Sequence, residues 1–182
     1  MKVTALKIPD LKLIEPEVFE DERGYFFESF NQKKFNEVIG QGITFVQDNQ
    51  SKSKKGVLRG LHYQEEPFAQ GKLVRAIKGE IFDVAVDIRK DSGTYGQWVG
   101  EILSADNRKQ LWIPEGFAHG FLSLSDSTEV VYKATKQYQP IAEKTIHYLD
   151  QTLNIKWPKI KTPYVLSNKD INAKTFLKQL ER

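Results

Sequence analysis

The 182-residue chain contains no cysteine, and it lacks any long apolar run. Without cysteine it can form no disulfide bond, no thiolate nucleophile and no metal centre with sulfur ligands. No apolar segment approaches the roughly 18 residues of a membrane span, and the opening segment MKVTALKIPDLK lacks the apolar centre of a secretory signal. We therefore expect a cytoplasmic protein with no membrane partner.

A strong excess of charge of one sign is also missing. Lysine and arginine total 27 against 24 acidic residues, a net charge of +3 that is spread along the chain. This balance suits an anionic small molecule better than duplex DNA, so we predict no nucleic-acid partner. With 40% hydrophobic residues and no repeat, low-complexity tract or linker, residues 1–182 are expected to form one domain around a single core.

What the sequence does contain is a series of short β-rich windows. Examples are LKLIEPEVF, VLRGLHYQ, IFDVAVDI and EVVYKAT, and turn residues such as Gly56, Gly71 and Gly79 separate most of the windows. Helical patterns are confined to NQKKFNEVIG, with Asn31 as the N-cap candidate and Gly40 at its end, and to NAKTFLKQLE near the C-terminus. Many short strands without interleaved helices predict an all-β fold, which would be a sandwich, a barrel or a jelly roll.

Residues 81–89 alternate with a period of two, as in a strand with two different faces. One face would carry Phe82, Val84, Val86 and Ile88, and the other Asp83, Ala85, Asp87 and Arg89. The first face is apolar and the second is polar. Paired carboxylates on one strand invite an acid–base hypothesis, but we expect Asp83 and Asp87 to anchor the cationic side chains of a pocket instead.

Histidine is scarce, and the chain has only His62, His119 and His147. The segments GVLRGLH and PEGFAHG, around the first two, resemble the two short sequence blocks of the cupin superfamily, a double-sheet β-barrel. Many cupins bind a metal through two histidines spaced by one residue, a carboxylate and a third histidine. Gln64 breaks that spacing, and neutral amides are poor ligands for transition metals, so we predict no metal. A site made of His62, His119 and one of Glu65 or Glu66 is the alternative, with a short ligand set.

The stretch GVLRGLHYQ combines a strand pattern with two polar residues, Arg59 and His62. A barrel strand sends some of its side chains inward, so these two predict a polar, cation-lined interior, which is typical of a pocket rather than a packed core. His147 has no such neighbours, and we interpret it as a hydrogen-bonded structural side chain.

Six segments together resemble a narrower family. They are DERGYFFESF (21–30), FVQDNQSKSKKGVLRGLHYQ (45–64), QGKLVRAIKGEIFDVAVDIR (70–89), LWIPEGFAHGFLSLS (111–125), VVYKATKQY (130–138) and LSNKD (166–170). Their order is similar to that of the dTDP-4-dehydrorhamnose 3,5-epimerases, from about residue 3 to about residue 173. The resemblance implies a jelly-roll (cupin) barrel, a homodimer, no cofactor, and dTDP-4-dehydro-6-deoxy-D-glucose as the substrate. Epimerisation at carbons 3 and 5 of that sugar gives dTDP-4-dehydro-L-rhamnose, in dTDP-L-rhamnose biosynthesis.

The implied reaction needs a base, an acid on the opposite face of the sugar, and positive charge beside the enolate oxygen. By resemblance, His62 is the base, and Asp170 of LSNKD fixes its tautomer and stabilises its imidazolium form. Tyr132 of VVYKAT corresponds to the opposite-face acid, and Lys72 of QGKLV to the residue beside the ketone oxygen.

The resemblance also implies substrate-binding positions. Arginine binds phosphate through two parallel hydrogen bonds, which suits Arg23 and Arg59 for the diphosphate. Phe26 and Tyr138 are candidate stacking surfaces for thymine. The further positions that the family uses for ligand binding are Glu28, Gln47, Asn49, His119, Glu143 and Lys169. In the family an N-terminal segment crosses to the partner subunit, which would carry Arg23, Phe26 and Glu28 into the neighbouring site.

Other functions stay open at this point. An enzyme that epimerises only carbon 3 or only carbon 5 would need the same base and acid, because ring orientation decides which centre reacts. Cupin-like ketoisomerases act on the same keto sugar, although the six segments favour an epimerase. A non-catalytic nucleotide-sugar-binding cupin would need no base–acid pair, so the presence of His62, Asp170 and Tyr132 argues against it. Gln64 argues against a metal-dependent cupin oxygenase.

Overall fold

The computed structural model describes residues 1–180 of the chain, with side chains as far as residue 178. Within this part the helices are Gln32–Ile39 (α1), Asn168–Ile171 (α2) and Phe176–Leu180 (α3). The strands are Lys2–Ala5 (β1), Lys12–Glu15 (β2), Val18–Asp21 (β3), Gly24–Phe27 (β4), Gln47–Ser53 (β5), Leu58–Gln64 (β6), Lys72–Lys78 (β7), Glu80–Asp87 (β8), Trp98–Ser104 (β9), Gln110–Ile113 (β10), Phe117–Ser123 (β11), Thr128–Ala134 (β12) and Glu143–Thr145 (β13).

Most of the strands belong to two antiparallel sheets. One sheet has six strands in the order β1-β2-β10-β7-β12-β5, the other has five in the order β13-β6-β11-β8-β9, and β3 and β4 form a separate hairpin. The predicted all-β, double-sheet jelly-roll architecture is confirmed. The sequence windows missed β1 and β13, because these strands are short and partly polar and are specified by pairing with β2 and β6.

The two sheets enclose the main hydrophobic core. Fourteen buried side chains form it, and they come chiefly from the facing sides of both sheets: Ile8, Leu11, Leu13, Val74, Ala76, Ile81, Ala85, Val99, Leu103, Leu111, Ile113, Phe117, Phe121 and Val130. Each fully buried aliphatic or aromatic side chain of this size contributes about 1.5–3 kcal/mol to the free energy of unfolding. This core fills one part of the space between the sheets and leaves a polar cavity in another part.

Strand β8 shows why the interior is polar in places. Its apolar face, which includes Val84 and Val86, packs outward against the C-terminal segment, so the carboxylate-bearing face turns inward. Asp83 and Asp87 are both fully buried. Asp87 binds Arg89 at 2.9 Å and, at 2.6 Å each, the hydroxyl groups of two residues in the following loop. The hypothesis that both carboxylates anchor pocket cations is therefore wrong for Asp87, which holds this loop in place.

The two predicted helices are present, but the prediction that helices are confined to these segments is wrong, because the short helix α2 also forms, capped by Ser167. In α1, the Asn31 side chain accepts a hydrogen bond of 3.1 Å from the Lys34 backbone N–H, and Gly40 ends the helix with φ 146°. Phe35 of α1 packs edge-on against Trp112, which attaches the helix to the outer face of the six-stranded sheet. Helix α3 lies within the predicted C-terminal segment, whose last residue is outside the described residues. No helix among residues 1–180 is long and apolar enough to cross a membrane.

A β-bulge between β6 and β11 shapes the cavity wall. His119 pairs with His62 and Phe121 pairs with Arg59, so two steps along β11 correspond to three steps along β6. In a regular strand, side chains three positions apart point to opposite faces. The extra residue allows Arg59 and His62 to line the same cavity. Gly60, inside the bulge, has φ 132°, and a Cβ atom there would lie 2.5 Å from the Cα atom of Gly120.

We predict that Gly60→Ala destabilises the protein by about 2 kcal/mol or more, because backbone strain and overpacking each cost about 1–3 kcal/mol. Gly93→Ala is the matched control, since a Cβ atom at Gly93 meets nothing within 4 Å. Denaturant unfolding of both variants measures the difference. Equal midpoints for the two variants would contradict the importance of the close approach at the bulge.

Candidate active site

A polar cavity of about 190 Å³ lies between the two sheets. Both sheets contribute to its wall. The lining residues are Ser51, Arg59, His62, Tyr63, Gln64, Gln70, Lys72, His119, Phe121, Tyr132, Tyr138 and Glu143. The polar, cation-lined interior that Arg59 and His62 predict is present.

A histidine–aspartate pair lies at one side of this cavity. His62 of β6 is on the five-stranded sheet, and its Nε2 atom is 2.6 Å from Oδ1 of Asp170, which is only 2% exposed. A backbone bridge between Val57 and Val165 holds the C-terminal segment beside β6. Ser167 then caps α2 and donates a hydrogen bond of 2.8 Å to Oδ2 of Asp170. Both carboxylate oxygens of Asp170 are thus fixed.

Burial sets the protonation state of this pair. Burial lowers the pKa of His62, and this effect outweighs the hydrogen bond and the negative charge of Asp170, which act to raise it. Burial acts to raise the pKa of Asp170, but the hydrogen bonds from His62 and Ser167 hold it below its usual value. At neutral pH, His62 is neutral and Asp170 is ionised. Nε2–H of His62 then donates to Asp170, and the lone pair on Nδ1 is available to accept a proton.

The six-stranded sheet places a lysine and a tyrosine across the cavity from His62. Lys72 of β7 is 8% exposed, and burial lowers its pKa to about 8 although the negative charges of Asp83 and Glu143 act to raise it. Its Nζ atom lies 5.9 Å from the centre of the Tyr132 ring on the neighbouring strand β12. Burial and the charge of Glu143 raise the pKa of Tyr132, so its phenol keeps its proton at neutral pH.

A second histidine–aspartate pair supports the cavity. His119 faces His62 directly in the ladder between β6 and β11, and its Nε2 atom is 2.8 Å from Oδ1 of Asp83. His119 is 7% exposed and Asp83 is fully buried. Asp83 therefore anchors a cavity residue, but its direct partner is a histidine and not the arginine or lysine that the sequence predicts.

Glu143 connects two other predicted binding residues, Tyr138 and Lys169. Its carboxylate accepts a hydrogen bond of 2.8 Å from the Tyr138 hydroxyl group and one of 2.7 Å from the Lys169 ammonium group. Burial acts to raise the pKa of Glu143, but these two hydrogen bonds keep it below its usual value. An ionised carboxylate thus stands at the cavity wall. Arg59 lies nearby on this wall, where Ser53 Oγ and the Lys52 carbonyl oxygen accept hydrogen bonds from its guanidinium group, each 3.1 Å long.

Three predicted binding residues lie elsewhere in the chain's own fold. Arg23, Phe26 and Glu28 belong to the β3–β4 hairpin and the residues after it, and none of them lines the cavity. Arg23 pairs with Asp21, Phe26 is 71% exposed, and Glu28 is 3.3 Å from Lys34. Their substrate-binding roles stay predictions that need the partner subunit.

Gln47 and Asn49 lie next to cavity residues but do not line the cavity themselves. Asn49 pairs with Tyr132 in the ladder between β5 and β12, so it faces the same side of the sheet. The Gln47 amide donates a hydrogen bond of 2.9 Å to Asn49 and accepts one of 2.8 Å from the Tyr138 backbone. Neither residue lines the 190 Å³ cavity directly.

The alternative metal site is not assembled. Glu65 pairs with Lys144 at 3.7 Å and Glu66 lies 4.0 Å from Lys136, so both carboxylates have lysine partners. No group of three or more His, Asp or Glu side chains that could hold a metal ion occurs in the part of the chain that the structure describes. His147 makes a local contact, in which its Nδ1 atom accepts a hydrogen bond of 3.2 Å from the Leu149 backbone.

The sequence analysis predicts no cavity role for Gln64 or Gln70, although both line the cavity. For Gln64 the signal that could have found it is its position two residues after His62, on the same face of β6.

The fold is a double-sheet barrel of the cupin type. Its cavity has a histidine–aspartate pair at one sheet and a lysine and a tyrosine at the other, which are the groups that acid–base chemistry needs. The particular family follows from comparison with known proteins. The chain belongs to the dTDP-4-dehydrorhamnose 3,5-epimerase family, whose sequence profile matches residues 5–178.

Similar proteins include 3,5-epimerases and a single-centre epimerase. A dTDP-4-dehydrorhamnose 3,5-epimerase from Shigella flexneri is 60% identical over 177 residues, which cover 97% of this chain and 97% of that protein. A dTDP-6-deoxy-D-glucose-3,5-epimerase from Legionella pneumophila, solved in complex with dTDP-4-keto-L-rhamnose, has a TM-score of 0.95 and 52% identity, covering 99% of this chain and 94% of that one. A 3'-monoepimerase from Streptomyces bikiniensis, in complex with dTDP-quinovose, has a TM-score of 0.89 and 34% identity, covering 94% of this chain and 86% of that one.

Proposed function

We propose that this protein epimerises carbons 3 and 5 of dTDP-4-dehydro-6-deoxy-D-glucose to give dTDP-4-dehydro-L-rhamnose. The observation that carries the proposal is the placement of a neutral histidine, held by Asp170, opposite a tyrosine and a buried lysine in one cavity. The relative from Legionella pneumophila, which has dTDP-4-keto-L-rhamnose bound, supports the substrate class.

The chemistry of the substrate explains why one site suffices for two centres. Carbons 3 and 5 both neighbour the ketone at carbon 4, so the same carbonyl group makes both C–H bonds acidic. In the D-gluco configuration, both hydrogens project from the same face of the ring. One base can therefore remove either proton, and one acid on the other face can return it with inversion.

We assign the base role to His62, whose Nδ1 lone pair takes the proton while Asp170 stabilises the resulting imidazolium ion. Tyr132, on the opposite sheet, delivers a proton to the other face of the enolate. The Lys72 ammonium group stabilises the enolate oxygen, and loss of one such donor typically costs ~100- to 1,000-fold in rate. His119, oriented by Asp83, contacts the substrate beside Lys72.

The nucleotide half of the substrate extends beyond the cavity in this proposal. Arg59 binds the diphosphate, with Tyr138, Glu143 and Lys169 at the same side of the wall. In a homodimer, the exposed β3–β4 hairpin of the partner supplies its arginine and its aromatic ring, which fits the exposure of this hairpin in the single chain. The protein then acts as one cupin-type domain per subunit, in the cytoplasm, without a cofactor.

A single-centre epimerase is the second candidate, because the 3'-monoepimerase shares the fold with a TM-score of 0.89. Product analysis separates the two. Reduction of the carbon 4 ketone and hydrolysis convert the doubly inverted product into rhamnose and 6-deoxytalose. Inversion at carbon 3 alone gives 6-deoxyallose and 6-deoxygulose. Detection of rhamnose supports the proposal, whereas 6-deoxyallose without rhamnose would replace it with the single-centre function.

The pH dependence of kcat/KM is predicted to be bell-shaped, because His62 must be neutral and Lys72 must be charged. Activity falls on the acid side as His62 gains a proton, below the usual pKa of histidine. It falls on the alkaline side as Lys72 loses its proton near pH 8. In Lys72→Arg the guanidinium group stays charged, so the alkaline limb should disappear at a lower overall rate. An unchanged alkaline limb in this variant would contradict the role of Lys72.

A further inference from the structure

Three glutamine side chains hold the backbone of residues 136–139, in the loop between β12 and β13. Each of these four consecutive residues has one backbone group that is hydrogen-bonded to a glutamine side chain. The bonds are Gln70 Nε2 to the Lys136 carbonyl oxygen at 2.7 Å, Gln64 Nε2 to the Gln137 carbonyl oxygen at 3.3 Å, the Tyr138 N–H to Gln47 Oε1 at 2.8 Å, and the Gln139 N–H to Gln64 Oε1 at 2.7 Å. We call Gln47, Gln64 and Gln70 the glutamine clamp.

Gln64 is the central member of the clamp. Its side chain is 6% exposed, and its amide nitrogen also donates a hydrogen bond of 2.6 Å to the Phe68 carbonyl oxygen. The amide thus joins two loops, 65–71 and 135–142, by donating to carbonyl groups of both and accepting from an N–H group of the second. A glutamate at this position has the same length but no donor, so only a neutral amide makes all three bonds. This use explains the glutamine found where metal-binding cupins place a histidine.

The clamped segment, residues 136–139, contributes a side chain to the cavity wall. Tyr138 lies within it, lines the cavity, and donates its hydroxyl hydrogen bond to Glu143. The loop has no regular secondary structure between β12 and β13, and Ile141 next to it is 85% exposed. Without the clamp, ordering this loop on ligand binding would cost conformational entropy.

We propose that Gln64, with Gln47 and Gln70, is a positioning residue that pre-orders Tyr138 and Glu143 for binding of the nucleotide sugar. This inference rests on the proposed function and deepens it. The clamp acts on substrate binding and not on proton transfer, since His62 and Asp170 are held by separate contacts with the C-terminal segment.

Steady-state kinetics with the dTDP-keto sugar tests the clamp. Gln64→Ala should raise KM about tenfold and change kcat less than threefold, because each neutral hydrogen bond contributes a factor of about two to ten. Gln64→Glu should raise KM at least as much, since it loses the donors and faces Glu143 across the strand pair. Gln70→Ala should raise KM to a smaller extent, and it serves as a second variant should the Gln64 variants unfold.

Gln32→Ala is the matched control, because Gln32 also binds a loop backbone, the Ile43 carbonyl oxygen at 2.7 Å, but it lies away from the cavity. A loss of stability with unchanged KM is expected there. Both variants are assayed at the same temperature, below the unfolding of either. If Gln32→Ala raised KM as much as Gln64→Ala does, the KM increase would reflect a general loss of stability and not the clamp, and the proposal would be overturned.

Calorimetric titration with dTDP completes the test through a double-mutant cycle. If Gln64 acts through Tyr138, Gln64→Ala should weaken dTDP binding about tenfold in the native background but less than about threefold in Tyr138→Ala. Additive losses would overturn the clamp. A wild-type protein that neither binds dTDP nor turns over the keto sugar would instead defeat the proposed function, so the two failures are distinguishable.

Discussion

His62→Ala should slow proton exchange at both carbon 3 and carbon 5 by at least about 100-fold. General base catalysis contributes about 100- to 10,000-fold. His119 also lines the cavity, but its Nε2 atom is 2.8 Å from Oδ1 of the fully buried Asp83, and we assign it to substrate binding. Loss of exchange at both centres together follows from the use of one base.

His147→Ala provides the matched control for the loss of an imidazole, because the ring of His147 accepts a local hydrogen bond of 3.2 Å from the Leu149 backbone and does not line the cavity. It should keep a rate within about twofold of the native protein, as surface substitutions usually do. The rate of the Asp170→Asn variant should fall by about 100-fold or more, because a neutral amide cannot stabilise the imidazolium ion of His62. If His62→Ala lost exchange at only one carbon, a second base would be required.

Tyr132→Phe should separate exchange from inversion. Without the phenol, the enolate can regain a proton only from the His62 side, which restores the original configuration. Formation of epimer should therefore fall by at least about 100-fold, whereas recovered substrate should still gain deuterium from heavy water. NMR of the recovered substrate and product, after incubation in heavy water, measures both rates in one sample.

A phenol outside the cavity gives the control for this prediction. Tyr164 donates its hydroxyl hydrogen bond to the Pro158 carbonyl oxygen at 2.8 Å and does not line the cavity, so Tyr164→Phe should leave both exchange and inversion unchanged. If Tyr132→Phe lost exchange and inversion to the same extent, the phenol would take part in proton removal, and the assignment of acid and base to opposite sheets would be wrong.

The strands and helix caps of this fold could be predicted largely from local sequence. Asn31 and Gly40 delimit α1 through backbone capping, which depends only on neighbouring residues. The alternation in β8 likewise defines its two faces correctly. Strands β1 and β13 could not be predicted, because their pairing partners and not their own side chains specify them.

The candidate site could not be predicted from local sequence patterns alone. Asp170 is 108 residues from His62 in the chain, so only resemblance to a family could pair them before the fold was known. Regular alternation predicts opposite faces for Arg59 and His62, and the bulge at Gly60 overrides it. Gln64 binds backbone groups of the adjacent loop and of a loop 75 residues away, and backbone groups are the same whatever the residue type, so the sequence does not reveal these contacts.

Deuterium labelling of the wild-type product tests the central claim, that one base and one opposed acid invert two centres in a single cavity. The protein is incubated with dTDP-4-dehydro-6-deoxy-D-glucose in heavy water, and the label at carbons 3 and 5 of the inverted product is read by NMR. We predict one deuterium at each of the two carbons. Label at only one carbon would contradict double epimerisation, and inverted product without label would contradict a base and an acid that exchange with solvent.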